Sequence, residues 1–136
     1  MIDVAKKQLH VLLVDDDDGI RQVASLALRR IGGFEVTEAA SGPDALDKIS
    51  RGVFDAIILD VMMPLMDGPS TLVQLRELEH GADVPVIFLT AKALPRELSK
   101  LRELGVLGVL TKPFDPITLS AHIEDLMKRD TLNEQN

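Results

Sequence analysis

Four short apolar runs in this 136-residue sequence end on side chains that could do chemistry. Val11-Leu12-Leu13-Val14 runs into Asp15 and Asp16, and Ala56-Ile57-Ile58-Leu59 ends on Asp60. Val86-Ile87-Phe88-Leu89 ends on Thr90, and the run over residues 106–110 ends on Thr111 and Lys112. Apolar runs of this length, bounded by turn residues, read as buried strands of a parallel sheet. Their carboxyl ends then share the rim where open α/β sheets place ligands. Three carboxylates gathered there would repel, at about 4 kcal/mol for each pair 4 Å apart, so the cluster calls for a cation. An all-oxygen ligand set with room for water favours Mg²⁺, with Mn²⁺ as a substitute. A carboxylate nucleophile, a divalent metal, a hydroxyl and an ammonium together supply what phosphoryl transfer demands. Asp60 is the expected nucleophile.

Five strands must carry these groups, and five helical patterns alternate with them. Strands are expected at residues 10–14, 34–38, 56–59, 86–89 and 106–110. The first helix should run over residues 19–31, where Ile20, Ala24, Ala27 and Ile31 recur at helical spacing before Gly32-Gly33. Ser41 with Pro43 and Asp67 with Pro69 are start signals for helices ending near Ile49 and Leu78. A charged helix is expected over residues 94–104, closed by Gly105, and a last one from Asp115-Pro116 with Leu119, Ile123 and Leu126 inward. Residues 128–136 are polar and expected to fray. Alternation of this kind with short loops means one parallel sheet covered by helices on both faces. The expected division is an N-terminal extension 1–8, one domain 9–127 and a polar tail 128–136.

Composition narrows the chemistry. The chain contains no cysteine, which rules out thiol catalysis and disulfides and fits a cytoplasmic setting. The net charge of −7, from 22 acidic against 15 basic residues, argues against direct nucleic-acid binding. Residues 1–8 lack the apolar core of a signal peptide, and no apolar run approaches the roughly 20 residues of a membrane span.

From about Leu9 to Leu126 the sequence resembles the receiver domain of two-component response regulators. The resemblance rests on Val11-Leu12-Leu13-Val14-Asp15-Asp16, on residues 59–68 (Leu-Asp-Val-Met-Met-Pro-Leu-Met-Asp-Gly), on Leu89-Thr90-Ala91 and on Thr111-Lys112-Pro113-Phe114. It implies a flavodoxin-like, doubly wound five-stranded parallel sheet of order 2-1-3-4-5 with five helices. It implies that Asp60 takes a phosphoryl group from a histidine kinase or histidine phosphotransfer protein. Asp16 would bind Mg²⁺ directly and Asp15 mainly through water, while the backbone carbonyl of Met62 completes the protein ligands. Thr90 and Lys112 would contact the phosphoryl oxygens, and the Lys112–Pro113 bond would be cis. Such a domain phosphorylates and slowly dephosphorylates itself rather than turning over an external substrate. The first helix would face the phosphodonor. The fourth helix, fifth strand and fifth helix would face an unidentified downstream target or a second copy of the chain. No output segment is expected within these 136 residues, since they end just past the fifth helix.

The sequence departs from the family pattern at Val109, where an aromatic ring usually stands three residues before the lysine. Other readings compete. Asp16-Asp17-Asp18-Gly19 resembles the first motif of haloacid-dehalogenase-type phosphatases, with Asp16 as nucleophile and Asp18 as acid/base, but that reading leaves Asp60 without a role. An interaction module that is never phosphorylated would tolerate losing the repelling carboxylates. Flavin binding is disfavoured by four consecutive aspartates after the first strand. Asp17, Asp18 and Asp67 read as helix caps or solvated charges, and His10, His80 and His122 are scattered over different elements.

Overall fold

The computed structural model describes residues 8–135, with side chains as far as Asp130; the expected N-terminal extension lies outside them except for Gln8. Its five strands are β1 (His10–Val14), β2 (Glu35–Ala39), β3 (Ala56–Asp60), β4 (Val86–Thr90) and β5 (Gly108–Thr111). The helices are α1 (Asp18–Arg30), α2 (Gly42–Arg51), α3 (Gly68–Leu75), α4 (Pro95–Arg102) and α5 (Leu119–Gln135). All strands run parallel in the order β2-β1-β3-β4-β5, the order expected.

Strands β1, β3 and β4 are apolar along their length because both sheet faces are covered. Leu12, Val14, Ile57, Leu59, Val86 and Phe88 pack towards α2 and α3. Val11, Leu13, Ala56, Ile58, Ile87 and Leu89 pack towards α1 and α5. Each such Leu or Ile contributes roughly 1.5–3 kcal/mol by leaving water. A one-residue slip of any central strand would swap the two sets of side chains, which locks the register.

Three helix starts follow their sequence signals. Asp17, Ser41 and Asp67 accept backbone N–H bonds from Ile20, Asp44 and Ser70 at 3.0, 3.1 and 2.8 Å. Several ends differ from expectation. Helix α3 stops at Leu75, where Arg76 reaches ahead to donate to the carbonyls of Gly81 (3.0 Å) and Val84 (2.5 Å) across a short 3-10 turn, Glu79–Gly81. Helix α4 is shorter than expected, buries no residue and starts at Pro95 without a side-chain cap. Strand β5 begins two residues late, since pairing starts only after the Leu107 N–H reaches the Val86 carbonyl at 2.8 Å. A turn over residues 116–118, closed by bonds from Thr118 and Leu119 to the Asp115 carbonyl, delays α5 to Leu119. Helix α5 continues past Lys128 to Gln135, with no Gly or Pro to break it.

Candidate functional site

The sheet register assembles the site. Val14 pairs with Leu59, so the next residues, Asp15 and Asp60, emerge side by side on strands about 4.8 Å apart. Asp60 pairs with Leu89, which puts Thr90 one step beyond it, and Thr90 pairs with Thr111, the residue before Lys112. The carboxylates of Asp15, Asp16 and Asp60 offer oxygens that all lie within 4.8 Å of one another. Lys112 comes from the far strand, but its four-carbon stem carries the ammonium to 2.8 Å from Asp15 Oδ2 and 3.2 Å from Asp60 Oδ1. Its bond to Pro113 is cis.

Three carboxylates facing one ammonium leave excess negative charge. Asp15 and Asp60 are buried, at 0% and 3% exposure, while Asp16 stands open to water. Asp15 Oδ1 accepts from the Asp17 N–H at 2.9 Å. Asp15 Oδ2 makes no well-directed hydrogen bond and has the Lys112 ammonium as its close counter-charge. Hard, all-oxygen donors with spare lone pairs and one water-facing member suit a divalent cation. Thr90 is buried at the same rim, its hydroxyl accepting from the Lys92 N–H at 3.1 Å. Met62 follows on the loop after β3, its N–H 3.4 Å from Asp60 Oδ1. Arg21 was not marked by the sequence as part of this rim; it donates to the Asp15 carbonyl at 2.7 Å and to Asp18 at 2.6 Å. That bond pairs the Asp18 side chain, 77% exposed on the helix surface, with Arg21, which disfavours it as the acid/base of the phosphatase reading.

Burial first, and then the facing Asp15 carboxylate, push the Asp60 carboxyl up to about 6, although Lys112 opposes the rise. Burial works against the Lys112 ammonium, but its contact with Asp15 and its attraction to Asp60 outweigh that and raise it. A consequence for stability follows in the absence of metal. The Asp60 carboxyl titrates near 3.8 when unfolded and near 6 when folded, so the native state keeps a proton that the unfolded chain gives up. The resulting stability is present below about pH 4 and is lost as pH rises through about 6, on the order of 3 kcal/mol. Urea unfolding in EDTA should therefore show Asp60→Asn gaining on the native protein from pH 5 to pH 8; a constant difference would refute the shift.

The loop after β3 holds a second anomaly. Leu65 has φ of 71° and a fully exposed side chain, so it bears left-handed backbone strain without packing in return. Leu65→Asn should raise the urea midpoint by the equivalent of about 0.5–1 kcal/mol, since asparagine tolerates that region. An unchanged or lowered midpoint would contradict the strain.

Residues 11–124 match the family described as response regulator receiver domain. The chain belongs to that family. A probable transcriptional regulator, ycf29, from Porphyra purpurea is 43% identical over 130 residues, covering 93% of this chain and 60% of that protein. A second such regulator, from Pyropia yezoensis, is covered over 46% of its length, so the chain spans about half of these curated relatives. The chemotaxis protein CheY4 of Vibrio cholerae has a solved structure with TM-score 0.81 at 36% identity, covering 88% of this chain and 99% of that one. The receiver domain of sensor histidine kinase PA1611 from Pseudomonas aeruginosa, with magnesium coordinated in its active-site cleft, gives TM-score 0.76 at 32% identity, covering 90% and 97%. The present receiver domain has the fold its sequence resemblance implied, and no described helix is long and apolar enough to cross a membrane.

Proposed function

We propose that Asp60 of this receiver domain is its phosphoacceptor, taking a phosphoryl group from a phosphohistidine on a kinase or phosphotransfer protein. The observation that carries the reading is the Lys112 ammonium bridging Asp15 and Asp60 at the rim where three carboxylates gather. An Asp60 carboxylate oxygen forms a bond to phosphorus as the P–N bond of the donor breaks, and the imidazole leaves with the electron pair and takes up a proton. Lys112 holds positive charge against the transferring oxygens, and the Thr90 hydroxyl meets one of them. Mg²⁺ held by Asp15, Asp16, Asp60 and the Met62 carbonyl would neutralise further charge on the phosphoryl group. The lysine contact and the buried nucleophile leave a never-phosphorylated module without an account of its retained, repelling acids.

The test is incubation with Mg²⁺ and acetyl phosphate, followed by peptide mapping of the modified residue. Label on Asp60 is expected; label on Asp16 would restore the phosphatase reading. The first helix is the proposed donor surface. An apolar groove of about 440 Å³ runs from Ile20 and Val23 on α1 to Phe114 and Pro116, with Lys112 at its edge. Donor docking that is unaffected by substitutions between Gln22 and Arg29 would count against that surface.

A further inference from the structure

We infer that Gly68 is a positioning residue for the reactive carboxylate and for the metal ligands, an inference resting on the role proposed for Asp60. Gly68 opens α3, and its N–H donates to the Val61 carbonyl at 2.9 Å. A Cβ built there would stand 2.7 Å from the Asp60 carbonyl oxygen and 2.9 Å from the Val61 Cα. Both are backbone atoms, so no side chain can swing aside to admit a methyl group. The Gly68 φ is not positive, so alanine could adopt the same backbone, and steric contact alone separates the two residues. Helix propensity works the other way, because alanine is the better helix former. The first turn of α3 therefore seats against the Asp60–Val61 peptide only because residue 68 has no side chain.

The opposite side of the same loop is pinned as well. A Cβ at Gly42, the first residue of α2, would meet Thr71 Oγ1 at 2.5 Å and Met66 Sδ at 2.7 Å. Thr71 is fully buried and donates its hydroxyl to the Asp67 carbonyl at 2.8 Å, so it cannot yield without losing that bond. Val61, Met66 and Gly68 spend their N–H groups on Leu89, Pro64 and Val61 carbonyls. A loop fixed at so many points can hold Leu65 in its left-handed conformation. It is a rigid mount between β3 and α3. Displacing α3 by the few tenths of an ångström a methyl group demands would move the Asp60 carboxylate and the Met62 carbonyl relative to Asp15, Asp16 and Lys112.

The experiment compares the native chain with Gly68→Ala, Gly42→Ala and the control Gly52→Ala, whose added Cβ meets nothing nearer than 3.9 Å. Mn²⁺ affinity is read by electron paramagnetic resonance titration, and the labelling rate is read at saturating acetyl phosphate and Mg²⁺. Gly68→Ala should lower the saturated rate about tenfold to a hundredfold and weaken Mn²⁺, as small misplacements of a reactive group do, while Gly52→Ala matches the native protein. A native rate and affinity in folded Gly68→Ala, or a loss matching only its unfolded fraction, would overturn the inference. If Gly68→Ala does not fold, Gly42→Ala decides: it should lose about threefold or more in rate, and a native rate overturns the inference. Native protein that binds Mn²⁺ without labelling at Asp60 would sink the phosphoacceptor reading instead, with the Mn²⁺ comparison between variants still deciding the positioning role.

Discussion

Asp60→Asn should reduce labelling by acetyl phosphate to less than about one-thousandth of the native rate, a barrier increase of about 4 kcal/mol or more. The asparagine amide fills the same space at a site with 3% exposure, so packing is kept. What it lacks is the anionic oxygen that attacks phosphorus, and no neighbouring group is placed to substitute. Asp15 is held by Lys112 and by the Asp17 N–H, and Asp16 stands open to water. The variant should nonetheless be more stable than the native protein in EDTA at pH 8, because one of three crowded carboxylates has been neutralised. Loss of labelling with a gain in stability separates removal of the nucleophile from unfolding. Residual label mapped to Asp15 or Asp16 would show that a different acid accepts the group.

The parts of this site that the sequence declares are those that lie along strands. Apolar runs such as 56–59 and 86–89 identify their strands, and a polar residue at the end of each lies at the rim because parallel strands all point the same way. The order β2-β1-β3-β4-β5 then brings Asp15 beside Asp60 with no further information. Contacts made by backbone or by long side chains are harder to read. Arg76, at the end of α3, bonds carbonyls five and eight residues ahead, and no local pattern signals such a partner. Arg21 reaches the Asp15 carbonyl for the same hidden reason. Gly68 looks like a turn residue beside Asp67 in the sequence, and only the close approach of Asp60 shows why a side chain is excluded. Leu65 gives no warning at all, since leucine is a poor choice for φ of 71°.

Lys112→Ala should separate the two jobs that the ammonium performs. It lies 2.8 and 3.2 Å from two carboxylates whose side chains are 1% and 4% exposed, its own side chain being only 13% exposed. Removing it leaves buried like charges facing each other, which should lower stability by about 3 kcal/mol. The figure is held down because Asp60, already pushed up to about 6, can take a proton. Adding Mg²⁺ should restore most of that loss, because a dication supplies the missing counter-charge and any ligand bound only by the native state stabilises it. Mg²⁺ affinity by calorimetry should be kept or tightened, since the ammonium no longer competes for the same oxygens. The labelling rate should still fall about a hundredfold at saturating Mg²⁺, because no cation remains on the side of the phosphoryl group from which Lys112 reached Asp60. A variant that labels at the native rate would remove Lys112 from the chemistry. One that loses Mg²⁺ and labelling together would show that the lysine chiefly organises the carboxylates. The expected split, with metal kept and chemistry lost, requires the ammonium to act on the transferring group itself.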